Sequence, residues 1–185
     1  MGSVLELPGF QSRAKLLSVE EYHKLGELGF LSQRTELIEG VVIQKMPKSP
    51  KHATVIALLL KIFLKQMGFE SVRSEQPLAL LRSEPEPDIV IVPGKIEDYR
   101  NSHPTTALLV IEVSLTTLLE DRRMASIYAE SNIPEYWLVN LNNQTVEVFR
   151  SPTNGEYSSM EIFSADKTLT PVFDPTIQVV LKELF

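Results

Sequence analysis

Apolar residues recur along this chain at two periods, and the places where one period gives way to the other mark the predicted elements. Ser18-Val19-Glu20-Glu21 has the form of a capping box, so a helix is expected from there to about Leu28, with Gly29 as its left-handed stop. Residues 35–45, β-branched and apolar after Gly40, read as a strand. Ser49-Pro50 sets up a second helix with proline at its first position. From Ala53 to Met67 that helix is apolar on nearly every side, interrupted by Lys61 and Lys65, which predicts a buried helix rather than an amphipathic one; Gly68 ends it. Residues 70–81 predict a long strand that Pro77 places at an edge or a bulge. Two short apolar runs, 89–92 and 108–113, predict further strands, separated by the turn chemistry of Pro93-Gly94 and residues 101–104. Thr116 or Thr117 caps a third helix to about Glu130, with Asn132 as its left-handed terminator. Strands at 136–139 and 145–149 flank Asn142-Asn143, read as a tight hairpin. Residues 158–163 and 177–184 suggest two short strands more.

The unit of strand 108–113, helix 117–130 and strand 136–141 is a β-α-β crossover, which requires parallel strands. Meander and crossover together predict an α/β (α+β) domain with a mixed central sheet flanked by helices. At 185 residues a single domain is expected over 1–185, with an N-terminal helix at about 18–29, a core at about 34–150 and C-terminal strands at about 156–185.

Three acidic residues sit where carboxylates are costly. Glu36 opens one strand, Asp88 follows Glu84-Pro85-Glu86-Pro87 to open another, and Glu112 ends a third. If the Asp88 and Glu112 strands pair antiparallel, the start of one lies beside the end of the other and the two carboxylates come within reach. Two hard oxygen donors at that separation suit Mg²⁺ or Mn²⁺, which would polarise a phosphoryl oxygen and acidify bound water. On spacing alone, a strand-entry cap at Asp88 and a solvated strand end at Glu112 account for the pattern equally well.

Composition narrows the class. No apolar run approaches the roughly 20 residues of a membrane helix. Residues 1–10 have neither a basic start nor a sustained apolar stretch, and position 6 is Glu6 rather than Ser or Thr, so neither a signal peptide nor myristoylation is expected. The absence of cysteine excludes a disulfide scaffold, a zinc ribbon and a thiol nucleophile. A cytoplasmic protein is the expectation. The formal charge of −6 argues against non-specific binding to nucleic acid, although a local basic cluster such as Lys45, Lys48 and Lys51 can survive an acidic total. His23, His52 and His103 are too scattered to suggest zinc, and no phosphate loop or nucleophile elbow occurs. Tyr128, Tyr136 and Trp137, at the joint between a helix and a strand, read as core packing rather than as a base-stacking platform.

Four segments resemble the Uma family of bacterial putative restriction endonucleases, within the PD-(D/E)XK nucleases. They are Glu36-Leu37-Ile38-Glu39-Gly40, Ser49-Pro50-Lys51-His52, Glu86-Pro87-Asp88-Ile89-Val90 and Ile111-Glu112-Val113-Ser114. A fifth runs from Tyr128-Ala129-Glu130 to Ile133-Pro134-Glu135-Tyr136-Trp137, so the resemblance spans about residues 18–150. It implies a restriction-endonuclease-like fold and hydrolysis of phosphodiester bonds in nucleic acid, DNA before RNA, with Mg²⁺ or Mn²⁺. It also implies metal ligation by Asp88 and Glu112, Glu36 as a third acidic residue, and His52 near the substrate or a bound water. By itself, a histidine in a helix's first turn reads more readily as a capping or surface residue. Two-strand cleavage by such enzymes commonly uses a homodimer.

The chain departs from the pattern at its basic residue. The lysine expected two positions after the glutamate is Ser114, and the helical position used instead in Uma-like sequences, four before Tyr128, is Met124. Lys45, Arg122 and Arg123 are the candidates to replace it, although an arginine would supply only charge and a solvated helix face explains at least one of the two. Two expectations follow: a metal-dependent endonuclease, or a catalytically inactive nuclease-fold binding or assembly module.

Overall fold

The computed structural model describes Gly9, residues 12–32 and residues 34–185; apart from Gly9, the stretch 1–10, where a targeting signal would stand, lies outside the described residues. Helix α1 (Val19–Glu27) carries the expected capping box: Ser18 Oγ accepts from Glu21 N and Glu21 Oε2 accepts from Ser18 N. What the sequence suggested as one strand at 35–45 is instead a hairpin of β1 (Thr35–Ile38) and β2 (Val41–Gln44). Glu39 and Gly40 form its turn, both with positive φ, the conformation that matches the twist of paired strands. Gly40 is needed for room as well, since a Cβ there would lie 2.7 Å from Leu16 Cβ and 2.9 Å from the Leu17 carbonyl oxygen.

Helix α2 (Pro50–Met67) starts at Ser49, whose side chain accepts from His52 N, and stops at Gly68. It is not buried all round. Val55, Ile56, Leu59 and Phe63 form one inward stripe, while Ala53, Ala57 and Lys61 face solvent. Apolar composition on the outer side therefore overstated its burial. The predicted long strand at 70–81 shrinks to β3 (Val72–Arg73), because Glu75 turns into the left-handed region at φ 53° and the chain then runs irregularly to Asp88.

The central sheet has the order β3-β4-β5-β6-β7-β8, with β4 (Ile89–Ile91), β5 (Leu109–Ser114), β6 (Glu135–Asn140), β7 (Thr145–Thr153) and β8 (Glu156–Ser164). Every neighbouring pair is antiparallel except β5–β6, which is parallel and joined by helix α3 (Leu118–Glu130), as a crossover demands. The β6–β7 loop is longer than a two-residue hairpin. Asn140 Oδ1 accepts from the amides of Asn142 and Asn143, and Gln144 closes the loop at φ 52°. The C-terminal stretch contributes the pair β9 (Thr168–Leu169) and β10 (Val179–Val180) and a short 3₁₀ turn at Leu181–Glu183. Thus 158–163 lies within a longer strand, and 177–184 is only partly one.

The sheet is covered on both faces, which is why its inner strands read as unbroken apolar runs. Ile89, Ile91, Leu109, Ile111, Trp137 and Val139 pack under α2 and the C-terminal residues Leu169, Val179 and Leu181. Their alternates Val90, Val110, Tyr136 and Leu138 pack with Ala125, Ile127 and Tyr128 of α3. Glu112 takes its place in that second set, pointing from β5 toward α3.

Candidate active site

Strands β4 and β5 meet in a register of Ile89 against Ile111, so Asp88, one residue before β4, stands opposite Glu112. The two are bonded to each other's strands: Asp88 N donates to Glu112 Oε2 at 3.1 Å, and Val113 N donates to Asp88 Oδ2 at 2.8 Å. They lie at the floor of a cleft of about 1060 Å³, walled by the β1–β2 hairpin, the start of α2 and the start of α3. Glu36, on β1, faces the same cleft, and its Oε2 accepts from Glu86 N at 3.2 Å. The three acidic residues picked from sequence therefore line one cleft, with Asp88 and Glu112 side by side.

Each floor carboxylate has a set of partners. Asp88 Oδ1 accepts from Lys48 Nζ at 2.6 Å, and Oδ2 is hydrogen-bonded to His52 Nε2 at 2.9 Å. Burial works against the Asp88 charge, but the His52 hydrogen bond and the Lys48 ammonium outweigh it and hold this carboxyl below its ordinary value. Among the described residues no cation pairs with Glu112. Its Oε1 accepts from Tyr128 OH at 2.9 Å, and burial followed by the neighbouring Asp88 charge pushes its carboxyl well above the usual range. Some of the Glu112 surface still reaches the cleft, but it is the protein packed around the carboxylate that governs its hydration, and that packing sets the direction. Glu36 and Asp121 are raised as well, burial being the first cause in both and other carboxylates of the cleft adding to it. Eight carboxylates line the cleft against the cations Lys45, Lys48 and Arg123. This is a pocket with negative charge in excess.

The candidates for the missing lysine separate. Lys45 faces the cleft but is ion-paired with Glu86. Arg123 and Met124 line the cleft wall. Arg122 does not line it: its Nε and Nη2 donate to the Glu147 carboxylate on β7 at 2.9 and 2.6 Å, so it is corrected from a candidate site residue to a strut between α3 and the sheet. His52, which read as a cap or a surface residue, has its backbone amide on Ser49 and its ring on Asp88.

A family profile described as "Putative restriction endonuclease" matches residues 19–181, most of the chain. The chain belongs to the Uma2 family. The match runs past residue 150, where the resemblance had stopped, so β8 and the C-terminal strands are part of the family unit. Among solved structures, a putative nuclease of the DUF820 family from Anabaena variabilis superposes with a TM-score of 0.75 at 21% identity, covering 91% of this chain and 97% of that one. At that identity the likeness establishes the restriction-endonuclease-like fold. No curated protein matches. No helix among the described residues is long and apolar enough to cross a membrane.

For this Uma2 chain, sequence reasoning missed two residues that line the cleft, Lys48 and Asp121, and one that supports it from the core, Tyr128. Lys48 reads from sequence only as part of a lysine cluster; its bond to Asp88 depends on where the β2–α2 connection folds. Asp121 and Tyr128 lie seven residues apart on α3, hence on one stripe of the helix, a signal that was present. Tyr128 is indeed core, fully buried and 5.0 Å from Tyr136 by ring centroid, but its hydroxyl also serves the site. Asp121 accepts from Thr117 Oγ1 at 2.7 Å, and nearby Ser114 Oγ, at the position where the family pattern has lysine, is buried with no hydrogen bond of good geometry among the described residues.

Proposed function

We propose that the chain is a divalent-metal-dependent endonuclease that hydrolyses phosphodiester bonds of nucleic acid, DNA before RNA, with its whole length acting as one nuclease-like domain in the cytoplasm. The observation that carries the reading is the convergence of Asp88 and Glu112 at the floor of a cleft in a Uma2-family fold. Among the described residues no three His, Asp or Glu side chains converge tightly enough to cage an ion by themselves. Mg²⁺ does not ask for such a cage, since it is commonly held by one or two carboxylates and keeps several waters. Asp88 and Glu112 offer hard oxygen donors side by side, and the Glu112 carboxyl, raised by burial and by the Asp88 charge, is short of a positive partner, which fits a cation. Asp88 and Glu112 would hold it, and it would supply polarisation of the phosphoryl group and an acidified water. Glu36 would line the substrate side, with His52 orienting Asp88. The excess negative charge supports the same reading: a cleft this acidic repels a polyanion until a cation enters.

The test is Mn²⁺ titration calorimetry of wild type and Asp88→Ala, followed by incubation with single- and double-stranded DNA and RNA in Mg²⁺ or Mn²⁺. Binding lost in Asp88→Ala and turnover lost in Glu112→Ala are expected. Equal weak binding by both proteins sinks the site. Sedimentation tests whether two chains pair, as two-strand cleavage would favour.

A second reading, an inactive nuclease-fold binding or assembly module, is favoured by Ser114 and Met124 standing where lysine is expected. An inert parent and an active Met124→Lys variant would decide for it.

A further inference from the structure

The cation position at Asp88 is already filled, by the protein itself. Lys48 Nζ sits 2.6 Å from Asp88 Oδ1 and is at the same time ion-paired with Glu75 Oε1. The ammonium thus bridges a carboxylate of the cleft floor that is 7% exposed and one of the rim that is 53% exposed. Lys48 belongs to the connection between β2 and α2, beside the N-cap Ser49, rather than to a strand or a helix. A compact ammonium on a four-carbon stem can swing between two partners, as a planar guanidinium in a two-pronged bond cannot.

Resting on the metal-binding reading above, we propose that Lys48 is the resident counterion of Asp88: a divalent cation enters by displacing its ammonium from Oδ1 onto Glu75, and this exchange sets the metal affinity of the site. A divalent ion carries twice the charge of the ammonium and can meet Glu112 as well. Lys48 makes no hydrogen bond or ion pair with Glu112. The exchange is therefore downhill once enough metal is present. Until then the apparent affinity is lowered by the fraction of molecules in which Asp88 is free of Lys48. The acidic floor thus keeps a charge partner in the absence of metal, and the released ammonium remains at the cleft, tethered to Glu75.

Other basic groups do not fit this role. Lys45 pairs with Glu86, Arg122 with Glu147, and Arg123 lines the wall without a bond to Asp88. His52 shares Asp88 but holds the other oxygen, Oδ2, so it orients the carboxylate and leaves Oδ1 to Lys48.

Mn²⁺ binding, read by calorimetry and by the paramagnetic resonance of free Mn²⁺ at one pH and low salt, tests the exchange without any need for turnover. Lys48→Met should bind Mn²⁺ at least tenfold more tightly than wild type. Glu75→Gln should bind it severalfold more weakly, because Lys48 loses the partner that receives it. Lys48→Gln repeats the first measurement should the methionine variant fold poorly. Loss of packing alone at Lys48 would lower affinity or leave it unchanged, and removal of a merely neighbouring charge would not make affinity depend on Glu75. If wild type binds Mn²⁺, Asp88→Ala does not, and both Lys48 variants bind no tighter than wild type, the counterion role is wrong and the metal site stands. If neither wild type nor the Lys48 variants exceed Asp88→Ala, the metal reading fails and the exchange fails with it.

Discussion

Arg122 offers a direct test of how the cleft is divided from its scaffold. From sequence it was a candidate to replace a catalytic lysine. In the fold it holds Glu147, whose carboxylate is 2% exposed and, among the described residues, has no other side-chain cation within bonding distance. In Arg122→Met the methionine keeps much of the packing of the stem but leaves that carboxylate buried and unpaired. Breaking a buried pair by removing one partner costs about 3–5 kcal/mol. Because the Arg122 side chain is 44% exposed, water relieves part of this, and a loss of about 2–3 kcal/mol is expected. Urea unfolding measures it as a lower midpoint at unchanged slope. The double variant Arg122→Met with Glu147→Met should recover most of the loss, since an apolar pair of similar volume replaces the ionic one. Mn²⁺ affinity should match wild type in both. A single-variant loss below about 0.5 kcal/mol, the scale of a surface ion pair, would refute the strut. So would lost Mn²⁺ binding at full stability.

Three further outcomes follow from the same contacts. Tyr128→Phe removes the hydroxyl on Glu112 Oε1 and leaves a buried acceptor without its donor, which should cost about 1–3 kcal/mol, measured by denaturation. Glu135 is fully buried and accepts from Trp137 Nε1, Arg150 Nε and Val172 N, so Glu135→Ala should cost on the order of 3–5 kcal/mol by calorimetry while Mn²⁺ binding survives. Glu36 has its carboxyl raised by burial, so between the ordinary value of 4.5 and its folded value the native state keeps a proton that the unfolded chain has released. Stability then falls as pH rises through that window, and Glu36→Gln, which can still accept from Glu86 N, should flatten the slope; an unchanged slope would put the burial of Glu36 in doubt.

Much of this protein was legible wherever the determinant is local. The capping box at Ser18, proline after Ser49, the left-handed Asn132 and the apolar runs around β4, β5 and β6 each constrain a few neighbouring residues, and each element formed where its signal lay. Even the meeting of Asp88 with Glu112 was reachable, because antiparallel pairing of two short strands leaves few registers that keep both faces apolar. Where the signal was ambiguous the reading slipped. Glu39-Gly40 did not announce a turn, and residues 70–81 did not show that Glu75 would break the strand.

Charge partners belong to the tertiary structure alone. Lys48 lies 40 residues from Asp88, Arg122 lies 25 from Glu147, and Tyr128 meets Glu112 only because α3 returns across the sheet. An ion pair depends on where two distant side chains are brought, and desolvation depends on everything packed around them. Neither is a property of a stretch of sequence. The sequence by itself determined which acids could form a site and what fold would present them; the packing of α2, α3 and the hairpin decided which cation each one keeps.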